Sequence, residues 1–202
     1  LQVSLVEPVV YLWDFNYLSR SFCHDVLVCI LKSIPVGGAW TVDIDRVKLR
    51  PFLCAGLKQG WQYAVCLAVK SRGLAPFYVI HTSFRLLHRF NEKEMNVAYL
   101  RIAELMKQDC LIRGLYRRSW LLDPALDTIS PDLAYLRRVP QENGATLFHA
   151  GSSKIDIQLA TAMSMKRRSL YTKGQYVPTG YAYVWPRTYF LKWARTLQDN
   201  QE

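Results

Sequence analysis

The chain has 202 residues, 50% of them hydrophobic, and its 26 lysines and arginines outnumber its 16 aspartates and glutamates to leave a formal net charge of +10. That content suffices for one good core or two small ones and excludes a disordered tail, while the charge favours a polyanionic partner. No apolar run approaches the roughly 20 residues that span a bilayer, because Arg20, His24, Asp25 and Lys32 break the longest candidates.

In chain order, residues 3–10 are apolar and branched, which suits a strand or a docking arm, although Pro8 counts against a central strand. Asp14 is placed to cap a helix over 15–33, where Leu18, Phe22, Val26, Leu27, Ile30 and Leu31 recur at helical spacing. Gly37 and Gly38 end that element. Trp40, Val42 and Ile44 then alternate with Thr41, Asp43 and Asp45, the pattern of a half-buried strand with its two carboxylates on the solvent face. Pro51 opens a helix reaching Gly73, with Leu57, Trp61, Ala64 and Ala68 on its apolar face. Residues 77–90 read as a further helix, with a strand as the alternative for Tyr78, Val79 and Ile80. The clearest helix follows, since Asn91 and Glu94 make a capping pair before Met95, Ala98, Tyr99, Ile102 and Met106.

Residues 110–122 change character. Gly114 can turn between two apolar runs, so the preceding helix and this stretch resemble the last helix and wing of a winged-helix unit, with Arg113, Arg117 and Arg118 at the tip against phosphate or the minor groove; the alternative is an ordinary hairpin or helix with exposed arginines. Ser130 and Pro131 open a short helix to about Val139, and 140–153 reads as a linker.

The most informative stretch is 156–176. Leu159 and Met163 share one helical face, and Ala160 is small enough for a second helix to pass close. Ser164 can cap a helix over 165–172 that Gly174 ends. These two short helices and their tight turn make a helix-turn-helix pattern, with Met165 and Leu170 facing the core and Lys166, Arg167, Arg168, Tyr171 and Thr172 facing outward. Arginine pairs in a bidentate way with a guanine edge, and lysine, threonine and tyrosine suit phosphates. No acidic residue occurs between positions 157 and 198, whereas Lys173, Arg187, Lys192 and Arg195 add to the cationic set.

Positions 167–193, through Leu170 and Tyr171, the spacing of Gly174, Pro178 and Gly180, and Tyr189, Phe190 and Trp193, resemble the helix-turn-helix region of FlhC-like transcriptional activators. The resemblance covers about 30 residues and implies a DNA-binding transcription factor working in a hetero-oligomer. That family's four-cysteine zinc site does not carry over, since no cysteine follows Cys110.

Cys23, Cys29, Cys54, Cys66 and Cys110 sit in apolar stretches without a CxxC pair, which reads as reduced thiols in a cytoplasmic protein. With no phosphate loop, nucleophile elbow or HExxH helix, the chain reads as non-catalytic and without metal or cofactor. The expected architecture is therefore mainly α with minor β: a helical scaffold over 1–139 for homo- or hetero-oligomerisation, a linker, and a basic helix-turn-helix-like unit over 154–202. The expected function is sequence-specific DNA binding by a transcriptional, plasmid or mobile-element regulator. The alternative is a subunit of a ribonucleoprotein or other assembly, in which the tyrosines and tryptophans of 171–193, interleaved with cations, hold RNA or partner proteins.

Overall fold

The structure, a computed structural model, describes residues 28, 32–49, 55–82, 90–162 and 164–199. The expected strand or arm over 3–10, the Asp14 cap and nearly all of the helix over 15–33 lie outside these residues.

Gly37 and Gly38 both have positive φ, +111° and +55°, and such glycines turn a chain tightly. They therefore join β1 (Ile34–Gly37) to β2 (Trp40–Asp45) as a hairpin. The next segment is helical, as α1 (Gly56–Val65) continuing into a π-helical stretch Cys66–Lys70, but its faces are reversed from the expected ones. Leu57 and Trp61 are 95% and 72% exposed, while Gly60, Tyr63, Cys66 and Leu67 are buried. Hydrogen bonds hold the helix this way round. The Tyr63 hydroxyl donates to the Lys48 carbonyl, and the Gln59 amide bonds both the N–H and the C=O of His149 on an edge strand, as a neighbouring strand would.

Residues Phe77–Thr82 form β3, not the start of a helix. The well-capped segment is α2 (Glu92–Gln108), where the Asn91 side chain accepts from the Glu94 amide at 3.0 Å. β4 (Gly114–Ser119) follows, then a 3-10 turn Trp120–Leu122, the short α3 (Leu126–Ile129), a second 3-10 turn Pro131–Leu133 and α4 (Tyr135–Glu142). β5 (Thr146–His149) leads into α5 (Lys154–Ala162) and α6 (Met165–Thr172), and the chain closes with β6 (Tyr181–Pro186) and α7 (Arg187–Asp199).

The six strands form one mixed sheet in the order β1-β2-β3-β4-β6-β5. Among the described residues only β3 and β4 run parallel, as the crossover through α2 requires; the other neighbours are antiparallel. Strand alternation sorts the core into two sets. One face carries Trp40, Val42, Tyr78, Ile80, Leu115, Tyr183 and Trp185 beneath Tyr99 and Ile102 of α2 and Phe190 of α7. The other carries Phe77, Val79, Tyr116, Phe148, Ala182 and Val184 beneath Tyr63, Cys66 and Leu67.

This is an α/β fold, which corrects the expectation of a mainly helical scaffold with a separate helix-turn-helix unit. The expected linker contains β5, and the expected terminal unit contains β6, so both belong to the same sheet as β1 to β4. The winged hairpin over 110–122 is corrected as well. Gly114 begins an interior strand, and its lack of a side chain is required there, since a Cβ would stand 2.4 Å from the Trp185 carbonyl oxygen on β6.

Candidate nucleic-acid interface

The connection between β5 and β6 carries the cationic stretch, and its local structure follows from short-range chemistry. Ser153 and Asp156 cap α5 reciprocally: the Asp156 amide donates to the Ser153 hydroxyl at 3.1 Å, and that hydroxyl donates to the Asp156 carboxylate at 2.6 Å. Ser164 caps α6 by accepting from the Arg167 amide at 3.3 Å. Beyond Thr172 the chain leaves the helix through Gly174, at φ +68°, with the Gln175 amide donating back to the Leu170 carbonyl at 2.9 Å.

Three clamps fix this connection, one to β4 of the sheet and two to the segment that follows β4. At its entry, the Arg118 guanidinium grips Asp156 with both nitrogens, at 3.2 and 2.6 Å, and also donates to the Gly151 carbonyl. In the middle, Arg167 is buried at 6% exposure. Its Nε donates to the Ala160 carbonyl at 2.8 Å and its Nη1 to the Ser130 hydroxyl at 2.9 Å, while its guanidinium carbon lies 4.9 Å from the Trp120 ring centroid. Burial lowers the pKa of this guanidinium. At the exit, Asp123 accepts from the Tyr176 hydroxyl and the Thr179 amide.

These clamps decide which expected contact residues face solvent. Lys166, Arg168, Tyr171, Thr172 and Lys173 are exposed on or just beyond α6, as expected. Arg167 is not, and Met165, expected in the core, is 85% exposed. The two exchange places because the guanidinium finds acceptors in the Ala160 carbonyl and the Ser130 hydroxyl, which the sequence pattern does not reveal. The Thr172 hydroxyl is engaged with the Arg168 carbonyl at 2.9 Å, so its expected hydroxyl contact to phosphate competes with a bond inside the helix.

The arginines expected at a wing tip sit in β4 or at its start. Arg117 is 1% exposed, stacked 4.8 Å from the Trp40 ring centroid, and donates to the Thr82 hydroxyl at 3.1 Å. Arg118 is held by Asp156. Arg113 is partly buried, and its amide donates to the Pro76 carbonyl at 2.8 Å. On α7, Arg187 donates to the carbonyls of Asp109 and Ile112, whereas Lys192 and Arg195 are exposed. The run Gly-Leu-Tyr-Arg-Arg-Ser carries no alternation of apolar and polar residues, so nothing in it marked these arginines as strand residues.

The aromatic residues of the same region are mostly core. Tyr183, Trp185 and Phe190 are fully buried and pack edge to face around Tyr99, leaving Tyr171 and Tyr189 as exposed rings at 39% and 44%. Among the described residues no group of three or more His, Cys, Asp or Glu side chains is placed to hold a metal ion, and no helix is long and apolar enough to cross a membrane. Comparisons of the chain with protein-family models, with curated proteins and with solved structures find no match.

Proposed function

We propose that the protein binds duplex DNA through the outward face of α6, with Lys166, Arg168 and Lys173 on phosphates or base edges and Tyr171 beside them. The observation that carries this reading is the combination of three exposed cations on and just beyond one short helix with the absence of any acidic residue between positions 157 and 198. A face that served solubility alone would mix both signs. The likeness of positions 167–193 to FlhC-like activators points the same way. Lys192 and Arg195 on α7 are additional phosphate contacts in this proposal, and Arg167 acts through its grip on α5, as a positioning residue.

An eight-residue helix reaches few base pairs, so a regulator built on it needs a second copy or a partner to read a longer site, with half-sites about one helical turn apart. Self-association is therefore part of the proposal, and sedimentation with and without a duplex tests it. Burial of most of the aromatic residues disfavours the RNA-holding alternative, because stacking on unpaired bases needs exposed rings.

The test is a titration of labelled duplex across a salt series, comparing the parent with Lys166→Ala/Arg168→Ala/Lys173→Ala. Losing three phosphate contacts is expected to lower the slope of log affinity against log salt by about 2 to 3 and to weaken binding at least about tenfold. An unchanged slope would remove α6 from the interface. Single-stranded RNA outcompeting the duplex would move the protein to the RNA class.

A further inference from the structure

The geometry points to a second site, independent of α6: a buried oxyanion-binding position around Arg117, for a carboxylate or a phosphate. Its first support is the state of Arg117 itself. The residue is 1% exposed and makes no ion pair with any carboxylate among the described residues; its Nη2 reaches Thr82, and its Nη1 is buried without an acceptor. A guanidinium stays charged at any ordinary pH, so burying one without a counter-charge is strongly unfavourable.

The second support is the company it keeps. Trp40, whose ring lies under the guanidinium, has its indole N–H buried and unpartnered; the hydroxyl of Tyr135, a residue 6% exposed that senses both the Arg117 charge and the Glu92 carboxylate, is likewise buried and unpartnered. The nearby hydroxyls of Tyr99 and Tyr183 are paired with each other at 3.1 Å, and that of Tyr183 also meets the Arg117 guanidinium, a neutral partner that leaves its charge unbalanced. The unfilled groups around Arg117 are thus a cationic N–H, an indole N–H and a phenol, all able to donate. A water accepts only two such bonds and carries no charge. A compact oxyanion accepts three and neutralises the arginine.

The third support is place. Thr82 ends β3 and Arg117 lies in the second half of β4, and these two strands are the parallel pair of the sheet. Open α/β sheets hold their ligands at the carboxyl ends of parallel strands. Because Trp40, Tyr99 and Tyr183 are themselves sealed from solvent, exchange requires a local opening and is slow.

Equilibrium dialysis of the full chain after long equilibration tests this, with inorganic phosphate and acetate in separate arms. The background carries Lys166→Ala/Arg168→Ala/Lys173→Ala, so that phosphate on the α6 face does not contribute and failure here leaves the DNA reading untouched. Saturable binding of one anion is expected, weakened about tenfold or more by Arg117→Met, the size of one lost charge-assisted hydrogen bond. Tyr135→Phe is expected to weaken it less. Should Arg117→Met fail to fold by circular dichroism, Tyr135→Phe and Thr82→Val decide instead. No saturable binding in either arm, or binding unchanged in these variants, overturns the site. Anion binding that emerges only in Glu7→Gln/Asp14→Asn/Asp25→Asn would show that a carboxylate of the chain fills the position, and overturns it equally.

Discussion

Two Arg-Arg pairs, one in β4 and one in α6, show what the surroundings of a charge decide. In β4, successive side chains point to opposite faces of the sheet, and both arginines are captured by protein: Arg117 on Trp40 and Thr82, Arg118 on Asp156. In α6, neighbours are about 100° apart around the axis. Arg167 swings inward to the Ala160 carbonyl and Ser130, and Arg168 stays outside. The same dipeptide therefore supplies one buried and one half-buried cation in β4, and in α6 one buried clamp plus one exposed cation, Arg168, whose Nε also donates to the Thr161 carbonyl at 3.3 Å. Solvent-facing charge is what a polyanion can reach, so the DNA proposal rests on the second element.

The strongest break in this contrast is expected at the β4 clamp. Asp156→Ala leaves Arg118 without its carboxylate and removes a cap partner from α5, which is expected to cost about 3 kcal/mol in urea unfolding. A loss below about 1 kcal/mol would mean that the pair does not hold the connection to the sheet.

Nearly as large is an alkaline effect centred on β4. Burial pushes the Tyr116 hydroxyl from its ordinary 10.0 up to about 12. Below pH 10 both the folded and the unfolded chain keep this proton and the stability is fully present; between pH 10 and 12 the unfolded chain releases it first, so stability is lost as pH rises. Tyr116 alone accounts for up to about 3 kcal/mol of that loss. Tyr116→Phe should flatten the fall between pH 10 and 12, and an equally steep fall would place the effect on other buried tyrosines.

The α6 pair sharpens the contrast at smaller amplitude. Arg167→Ala removes two hydrogen bonds and a stacking contact and should cost about 2 kcal/mol, whereas Arg168→Ala should change stability by less than about 0.5 kcal/mol. Duplex titration is expected to rank them differently: Arg168→Ala lowers the salt slope by about 0.9, while Arg167→Ala weakens binding without changing the slope. Equal stability losses for the two would erase the distinction between the buried clamp and the exposed cation, whose one bond is to the Thr161 carbonyl.

The parts of this molecule legible in its residues are those whose chemistry is local. The Asn91 and Ser164 caps and the stop at Gly174 each depend on atoms a few positions away, and each is found in place; β2 forms where its residues predict a strand, but its expected alternation fails, since Thr41 is buried and Ile44 is 53% exposed. The parts that were not legible depend on distant partners. Residues 77–82 lie in a strand because β2 and β4 flank them, and α1 shows Leu57 and Trp61 to solvent because Lys48 and His149 accept bonds from its other side.

The candidate interface divides along the same line. Its span, its cap and its missing carboxylates were set by the order of residues alone, since helix ends are satisfied within one turn. Which of its cations face outward was decided by tertiary structure, through the clamps of Arg167 to Ser130 and Arg118 to Asp156, 37 and 38 positions apart. A guanidinium goes where unpaired acceptors and an aromatic face outweigh its hydration, and only the folded chain brings those groups together.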